Sequence, residues 1–190
     1  MVQIVSKCEN NKDSDISLLP LTPELHGELA RVGNHPEIWR FALNPSVSLS
    51  TMHAYLGRVQ TQISTGQTLA YVIWHQQREQ AIGLSRLKSL DYLNGEAETG
   101  TWIHPDFHGK GFNQSVKSQA LAMAFKGVRL GRVYCYVHED NVASIKSLQR
   151  FGFCASPSKD RNVLDVQHRL IRQHYYEYTR AMWEQQFGAD

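Results

Sequence analysis

The chain has 190 residues, of which 42% are hydrophobic and 20% charged, with a formal net charge of +2 and a mean hydropathy of −0.41. This length suits one domain of ordinary size, and the composition is that of a globular protein in water. The longest apolar run, Leu69 to Trp74, is too short to span a bilayer, and the absence of a Lys/Arg cluster argues against nucleic-acid binding.

The polar, unpatterned start of the chain predicts a flexible tail at residues 1–14, followed by a single domain at 15–190. No apolar stretch or cleavage site typical of a secretory signal is present, so we expect a cytoplasmic protein. The three cysteines, Cys8, Cys135 and Cys154, cannot all pair and have no C-x-x-C spacing. They predict reduced thiols, and we expect no metal site.

The first predicted elements are a strand at 16–21, a helix that begins at Thr22 and ends near Val32, and a second helix that begins at Ser50 and is closed by Gly66. Further strands are predicted at 68–75, 80–89, 96–103 and 132–138, with a helix from Gly111 to near Gly127. Since a strand, a helix and a strand make a crossover, the last two strands should be parallel. The other pairs should be antiparallel.

The end of the chain carries weaker signals. A polar loop is predicted at 156–162 and a closing strand at 175–183, whereas 164–173 fits strand or helix and we favour strand. The pattern as a whole predicts a mixed α/β fold, in which helices flank a mostly antiparallel twisted sheet with one parallel pair of central strands.

The central stretch predicts an anion-binding site. A strand ends before Pro105, and Gly109 and Gly111 then open a helix, whose N-terminal N–H groups attract negative charge. The kinase-type P-loop is excluded because His104 stands where its first glycine belongs. The dinucleotide motif is excluded because Gln114 occupies its third glycine position.

Two motifs resemble a known family. The first is His108-Gly-Lys-Gly-Phe-Asn113, and the second runs from Asn141 through Ser144 to Gly152-Phe153. Together they resemble the GNAT superfamily of N-acetyltransferases, in particular the branch of ribosomal-protein N-terminal acetyltransferases. The resemblance covers about residues 17 to 184. His108 stands where that family usually has Arg or Gln, and Asn113 where it has Gly or Ala.

This resemblance implies that acetyl-CoA is the co-substrate. The pyrophosphate would be bound by the loop residues, which are His108, Gly109, Lys110, Gly111, Phe112 and Asn113. The pantetheine arm would lie along Trp102, Ile103 and His104 and bond to Asn141. A backbone N–H near Trp102 and Ile103, often at a β-bulge, would bind the oxyanion, and Ser144 would be the general acid, with solvent as the alternative.

The general base is predicted from strand alternation, which places Glu98, Gly100 and Trp102 on one face. Glu98 is the preferred base, directly or through water, although it could instead be half of an ion pair. His104 and His138 are rival bases, because both fall at strand ends and imidazole titrates near neutral pH. Cys135 is expected to be a small buried hydrophobe.

The acceptor is less defined. The resemblance implies that the connection between the first two helices lines its site, and the aromatic residues that could wall it are Trp39, Phe41, Tyr92 and Trp102, of which at least two should be structural. We therefore predict an N-acetyltransferase acting on a small amine or a protein N-terminus. The alternative is a non-catalytic acyl-CoA-binding module. The sequence leaves open which amine is used and whether the chain forms a homodimer.

Overall fold

The computed structural model describes residues 15–45 and 48–188, so the predicted tail lies outside the described residues. The strands of its sheet are β1 (Ile16–Pro20), β2 (Thr68–His75), β3 (Gln80–Asp91), β4 (Glu96–Ile103), β5 (Arg132–His138), β6 (Cys154–Ala155), β7 (Arg161–Leu164) and β8 (Leu170–Thr179). The helices are α1 (His26–Gly33), α2 (Leu49–Ser64), α3 (Phe112–Ala122), α4 (Val142–Phe151) and α5 (Arg180–Phe187).

The sheet has the predicted mixed topology. Its strand order is β1-β2-β3-β4-β5-β8-β6, and β7 pairs with β8. The β4–β5 pair is parallel and every other recorded pair is antiparallel, which confirms the predicted fold class. Strands β2, β4 and β5 have the predicted bounds, and β3 extends two residues further, past a register shift between Lys88 and Asp91. The predicted helix to Gly127 is also present, although its last turn, Met123–Gly127, is a π-helix.

Two predicted helix starts are wrong by a few residues. Thr22 makes no side-chain capping bond, and a 3₁₀ turn at Pro23–Leu25 precedes α1. Ser48, not Ser50, caps α2, because it exchanges hydrogen bonds with Thr51 in a capping box. At the start of α2 the capping residues Ser48, Ser50 and Thr51 lie close together, and the local sequence does not say which one forms the bond.

The C-terminal prediction needs the largest correction. The stretch 164–173 is a strand at both ends with a turn between them, and the predicted loop at 156–162 contains the start of β7. The predicted closing strand stops at Thr179, whose hydroxyl accepts a hydrogen bond from the Met182 N–H and caps α5. In this helix Trp183 packs on Phe125, with the ring centroids 6.1 Å apart. Both residues belong to the hydrophobic core on this side of the sheet.

Helices cover both faces of the sheet. On one face, Leu29 of α1 and Leu56 of α2 pack with Val72 and Leu84 of the sheet. On the other face, α3, α4 and α5 bury residues such as Leu121, Leu148 and Trp183 against β5 and β8. We call these the α1/α2 face and the α3/α4 face. No helix in the described ranges is long and apolar enough to cross a membrane.

Gly83 allows β3 and β4 to approach closely. A Cβ atom at this position would overlap the carbonyl oxygen of Trp102 and lie 3.0 Å from the Cα of Ile103. Because Gly83 also pairs with Ile103, any side chain there would displace the end of β4.

Gly83→Ala is therefore expected to lower the free energy of unfolding by about 1–3 kcal/mol, the usual cost of overpacking. The control is Gly57→Ala in α2, where nothing lies within 4 Å of the added atom. That change should raise stability by roughly 0.5–1 kcal/mol, because it removes a helix-interior glycine. Urea unfolding of both variants is the measurement, and a Gly83→Ala protein as stable as wild type would contradict the steric argument.

Candidate active site

The site is built around a gap between β4 and β5. These strands pair only at Glu96 with Arg132, Ala97 with Val133 and Glu98 with Tyr134. Beyond these pairs, residues 99–103 of β4 remain bonded only to β3, while residues 135–138 of β5 remain bonded only to β8. We call the opening between these two segments the wedge. The expected bulge is not found beside it, since the β3–β4 register is regular from Gly83 to Lys88.

A glycine loop lies at the mouth of the wedge, directly after β4. A 3₁₀ turn at Pro105–Phe107 leads to Gly109 and Gly111, whose φ angles of +74° and +80° lie in the left-handed region that favours glycine. Nothing lies within 4 Å of a Cβ atom placed on either glycine, and no side chain caps α3 at Gly111. The loop therefore presents exposed backbone at a helix N-terminus, which suits a phosphate group.

Basic side chains accompany this loop. The Lys110 Nζ and the Arg78 Cζ lie 5.1 and 5.2 Å from the ring centroid of Phe107. His108 folds back instead, and its Nε2 donates a hydrogen bond of 2.8 Å to the carbonyl of Ile103. His108 thus ties the loop to the end of β4, whereas Lys110 and Arg78 supply positive charge.

A polar cluster joins α3 to α4 on the α3/α4 face. Asn113 Nδ2 and Lys117 Nζ donate to the Ser147 hydroxyl at 3.3 and 2.9 Å, and Gln114 Nε2 donates to the Ser147 carbonyl at 3.2 Å. The Oδ1 atom of Asn113 is buried and has no hydrogen-bond partner in the part of the chain that the structure describes. An unsatisfied buried acceptor of this kind is suited to a ligand donor such as an amide N–H.

Lys117 was not identified from the sequence, because it belongs to no motif. Burial lowers its pKa from 10.5 to about 8, and the nearby Cys135 acts in the opposite direction. The sequence feature that could have identified Lys117 is its position, because this lysine lies within the apolar stripe that Val116 and Ala120 form on α3.

The second motif begins α4. The Oδ1 atom of Asn141 accepts a hydrogen bond of 3.1 Å from the Ser144 N–H, so Asn141 is the N-cap of this helix. The cap uses only the oxygen of the amide, which leaves the Nδ2 group to donate elsewhere. Ser144 is half-buried in the first turn, three residues before Ser147 and therefore on the same side of α4.

Glu98 lies on the α1/α2 face, as the strand alternation predicts. Its Oε1 is 2.8 Å from the Lys88 Nζ, and the Glu98 side chain is 14% exposed. The Lys88 Cε also lies 3.9 Å from a Cβ placed on Gly100, so the lysine extends over that glycine. Glu98 is thus half of an ion pair beside the wedge. From the sequence, this ion pair was the alternative to a role as general base.

The two rival bases have structural roles. The Nδ1 atom of His104 accepts a hydrogen bond from the Asp106 N–H at 3.3 Å, and that of His138 accepts one from the Asp140 N–H at 3.1 Å. Burial is the main cause that lowers the His104 pKa. In both rings Nδ1 therefore accepts a backbone hydrogen bond and caps a turn, one at the end of β4 and one at the end of β5.

The predicted aromatic wall divides into separate parts. The ring centroids of Trp39 and Trp102 are 6.2 Å apart, and both rings pack in the core beneath α1 and α2. Tyr92 is 63% exposed and bonds to the Gly66 carbonyl, away from these rings. Phe41 lies 5.3 Å from the His138 ring, at the end of β5.

The β7–β8 hairpin contributes residues that the sequence did not predict. The Arg161 Cζ lies 3.5 Å from the ring centroid of Tyr136, and that ring contacts Tyr175 at 5.3 Å. The Val166 N–H donates to the Leu43 carbonyl at 3.3 Å. The segment before α2 and this hairpin therefore meet over the β5 side of the wedge.

Cys135 has the expected structural character, because burial raises its pKa to about 12 and keeps the thiol protonated at neutral pH. Both cysteines within the described ranges, Cys135 and Cys154, are free. Over the same ranges, no group of three or more His, Cys, Asp or Glu side chains could hold a metal ion.

Comparison with known proteins agrees with this geometry. Residues 15–154 match the family model described as acetyltransferase (GNAT) domain. The chain is 32% identical over 105 residues to "Putative ribosomal N-acetyltransferase YdaF" of Bacillus subtilis, which covers 54% of this chain and 55% of that protein. It is also 31% identical over 72 residues to the spermidine N(1)-acetyltransferase of Vibrio cholerae, covering 38% of this chain and 42% of that protein. These matches span about half the length of the two relatives.

The fold is likewise similar to solved structures. The crystal structure of Vibrio cholerae spermidine N-acetyltransferase in complex with CoA and spermine has a TM-score of 0.75 at 19% identity, over 90% of this chain and 99% of that one. At this identity the likeness shows the fold alone. The family model covers most of the described residues, and the chain therefore belongs to the GNAT acetyltransferase family, whose members use acetyl-CoA.

Proposed function

We propose that this protein transfers an acetyl group from acetyl-CoA to an amine by direct attack of the amine on the thioester. The observation that carries this proposal is the continuity of the wedge with the glycine loop. The strand pairing opens after Glu98, and the loop at Gly109 and Gly111 lies at the end of the same strand. One extended ligand could thus occupy both places.

The residues present fit coenzyme A. The exposed backbone at Gly109 and Gly111 would receive the pyrophosphate, with Lys110 adding positive charge. Along the wedge, the chain at 102–104 has no strand partner on the β5 side. The His104 N–H donates to the Ile82 carbonyl and the Ile103 carbonyl accepts from His108, so the pantetheine arm would bond to the remaining backbone groups of this edge. Acetyl-CoA would supply the activated thioester, and an N–H near Trp102 or Ile103 would bind the oxyanion as the amine attacks.

Proton removal from the amine is assigned to Glu98, directly or through water. Its carboxylate is on the face that carries Trp102, and its ion pair with Lys88 holds it in position. His104 and His138 are weaker candidates, since each already accepts a backbone hydrogen bond. By the family pattern, Asn141 would bond the pantetheine arm through its Nδ2 group, and Ser144 would lie near the sulfur.

The acceptor would approach from the α1/α2 face, where the segment before α2 meets the β7–β8 hairpin. The two relatives are named as a "Putative ribosomal N-acetyltransferase" and a spermidine N(1)-acetyltransferase. The carboxylates of β4 and β8 on this face are already bound to cations: Glu96 to Arg132, Glu98 to Lys88, and Glu177 to Lys159. This pairing favours a protein N-terminus or a small amine over a polyamine, which would need free carboxylates. Cytoplasmic location and a homodimer stay predictions from the sequence.

The experiment that tests the proposal is a panel of amines, including peptide N-termini, amino acids and spermidine, assayed for free thiol release from acetyl-CoA. Binding of coenzyme A is measured in parallel by calorimetry. Turnover with at least one amine is expected. Binding without turnover on any amine would favour the alternative, a non-catalytic acyl-CoA-binding module, and no binding would contradict both.

The glycine loop can be tested with a matched pair of variants. Gly111→Asn and Gly111→Asp carry the same backbone strain, because both side chains tolerate the left-handed region better than most. They differ in charge. If the pyrophosphate lies against Gly111, the Asp variant should bind coenzyme A at least tenfold more weakly than the Asn variant, or about 1.4 kcal/mol. Equal dissociation constants for the two would remove this loop from the site.

The general base can be tested on β4. Glu98→Gln keeps the shape of the side chain and removes its basicity, so kcat should fall by about two to four orders of magnitude, with little change in KM for acetyl-CoA. Glu96→Gln is the control, since Glu96 lies on the same face two residues earlier, where it binds Arg132. It should leave kcat near the wild-type value. An acidic limb of the pH–rate profile that persists unchanged in Glu98→Gln would instead indicate a histidine or water.

A further inference from the structure

Lys117 is a half-buried lysine that none of the motifs explains. Its ammonium group donates to the Ser147 hydroxyl at 2.9 Å, and among residues 15–45 and 48–188 no carboxylate lies within ion-pair distance of it. An apolar side chain would fill the same place in the stripe of α3 at lower cost, because burial of an unpaired ammonium is unfavourable. A cation kept in such a place is suited to an anion that is present only during the reaction.

The location of Lys117 is beside the opening of the wedge. Lys117 is close enough to Cys135 for each to influence the pKa of the other. Cys135 follows Tyr134, the last residue of β5 that pairs with β4. On the other side, Ser147 holds the ammonium against the side of α4 that carries Ser144. The amine thus lies between α3, α4 and β5, where the strands begin to diverge.

Few charged groups act on this amine. Its own helix contributes the uncharged Asn113 and Gln114, and α4 contributes Ser147. From β5, Cys135 is the titratable neighbour, and Glu98 and Lys88 act on Cys135 from β4 and β3. Those last two charges form an ion pair with each other, so the Lys117 ammonium is left without a compensating charge.

We propose that Lys117 stabilises and protonates the coenzyme A thiolate that leaves during acetyl transfer. This inference rests on the proposed function. The amine nitrogen of the acceptor forms a bond to the acetyl carbon, and the C–S bond breaks with its electron pair on sulfur. An N–H proton of Lys117 then passes to sulfur to give the thiol, and solvent reprotonates the neutral amine. Ser144 offers no charge for this purpose.

The acidity of Lys117 supports this role. Its pKa of about 8 is near that of an ordinary thiol, so proton transfer between the two is close to balanced in energy. Near neutral pH most of the lysine is still protonated, which is the form that a thiolate needs.

The direct test is the ionisation of bound coenzyme A, followed by the ultraviolet absorbance of the thiolate as pH is raised. In wild type the bound thiol should ionise about one pH unit or more below free coenzyme A, because an ammonium faces it. Lys117→Met should abolish this difference, while Lys117→Arg, which keeps the charge, should retain it. Cys135 does not interfere, because its own pKa is about 12. Subtraction of the spectra with desulfo-coenzyme A removes any remaining protein signal.

Kinetics on the same variants complete the test. Lys117→Met should lower kcat about a hundredfold, with little change in KM for acetyl-CoA. The kcat of Lys117→Arg should lie between those of wild type and Lys117→Met, because arginine keeps the charge but cannot give up its proton. The control is Lys146→Met, an exposed lysine of α4, which should behave as wild type. Methionine suits a partly buried site, and urea unfolding of Lys117→Met shows whether this variant is folded.

Two results would overturn the proposal, and they are distinguishable. If Lys117→Met binds coenzyme A and its bound thiol ionises at the wild-type pH, Lys117 does not face the sulfur, while acetyl transfer still stands. If wild type binds no coenzyme A, the proposed function fails together with this inference.

Discussion

The divergence of β4 from β5 after three residue pairs is the constraint on which the rest of the site depends. Parallel strands that separate leave backbone groups without partners, and such groups are unfavourable unless water or a ligand binds them. Each strand is held on its outer side, β4 by β3 and β5 by β8, so neither can move to close the gap without breaking a regular ladder. The wedge is therefore a stable feature of this sheet.

The two faces of the wedge differ in their electrostatics. On the α1/α2 face the charges compensate one another, as Glu98 binds Lys88 and Glu96 binds Arg132. On the α3/α4 face the half-buried Lys117 donates to the Ser147 hydroxyl and lies near the Cys135 thiol. Acetyl transfer removes a proton from an amine and creates a negative charge on sulfur. A carboxylate on one face and an ammonium on the other match these two needs.

The glycine loop is the proposed binding site for the phosphate groups of the donor. Because Gly109 and Gly111 already adopt left-handed backbone angles, the loop needs no rearrangement to expose its N–H groups. His108 fixes the loop to the carbonyl of Ile103, the last residue of β4. A phosphate bound at the loop would thus be positioned relative to the strand edge that the pantetheine arm follows, which is where a thioester must be placed accurately.

The sequence by itself determined the features that depend on local backbone preference. Strands β2, β4 and β5 and the glycine loop were predicted, because strand alternation and left-handed glycines are properties of a few neighbouring residues. Placing Glu98 and Trp102 on one face needed no more than the period of a strand.

Only the tertiary structure decided which side chains meet. Lys88 reaches Glu98 through the register of β3 with β4, and Lys117 reaches Ser147 because α3 packs beside α4. The end of the chain became a helix because Trp183 packs on Phe125, far away in the sequence. Such contacts depend on packing between segments that are distant in the sequence, and local periodicity does not predict them. For that reason the ion pair of Glu98 and the half-buried amine of Lys117 were found only from the fold.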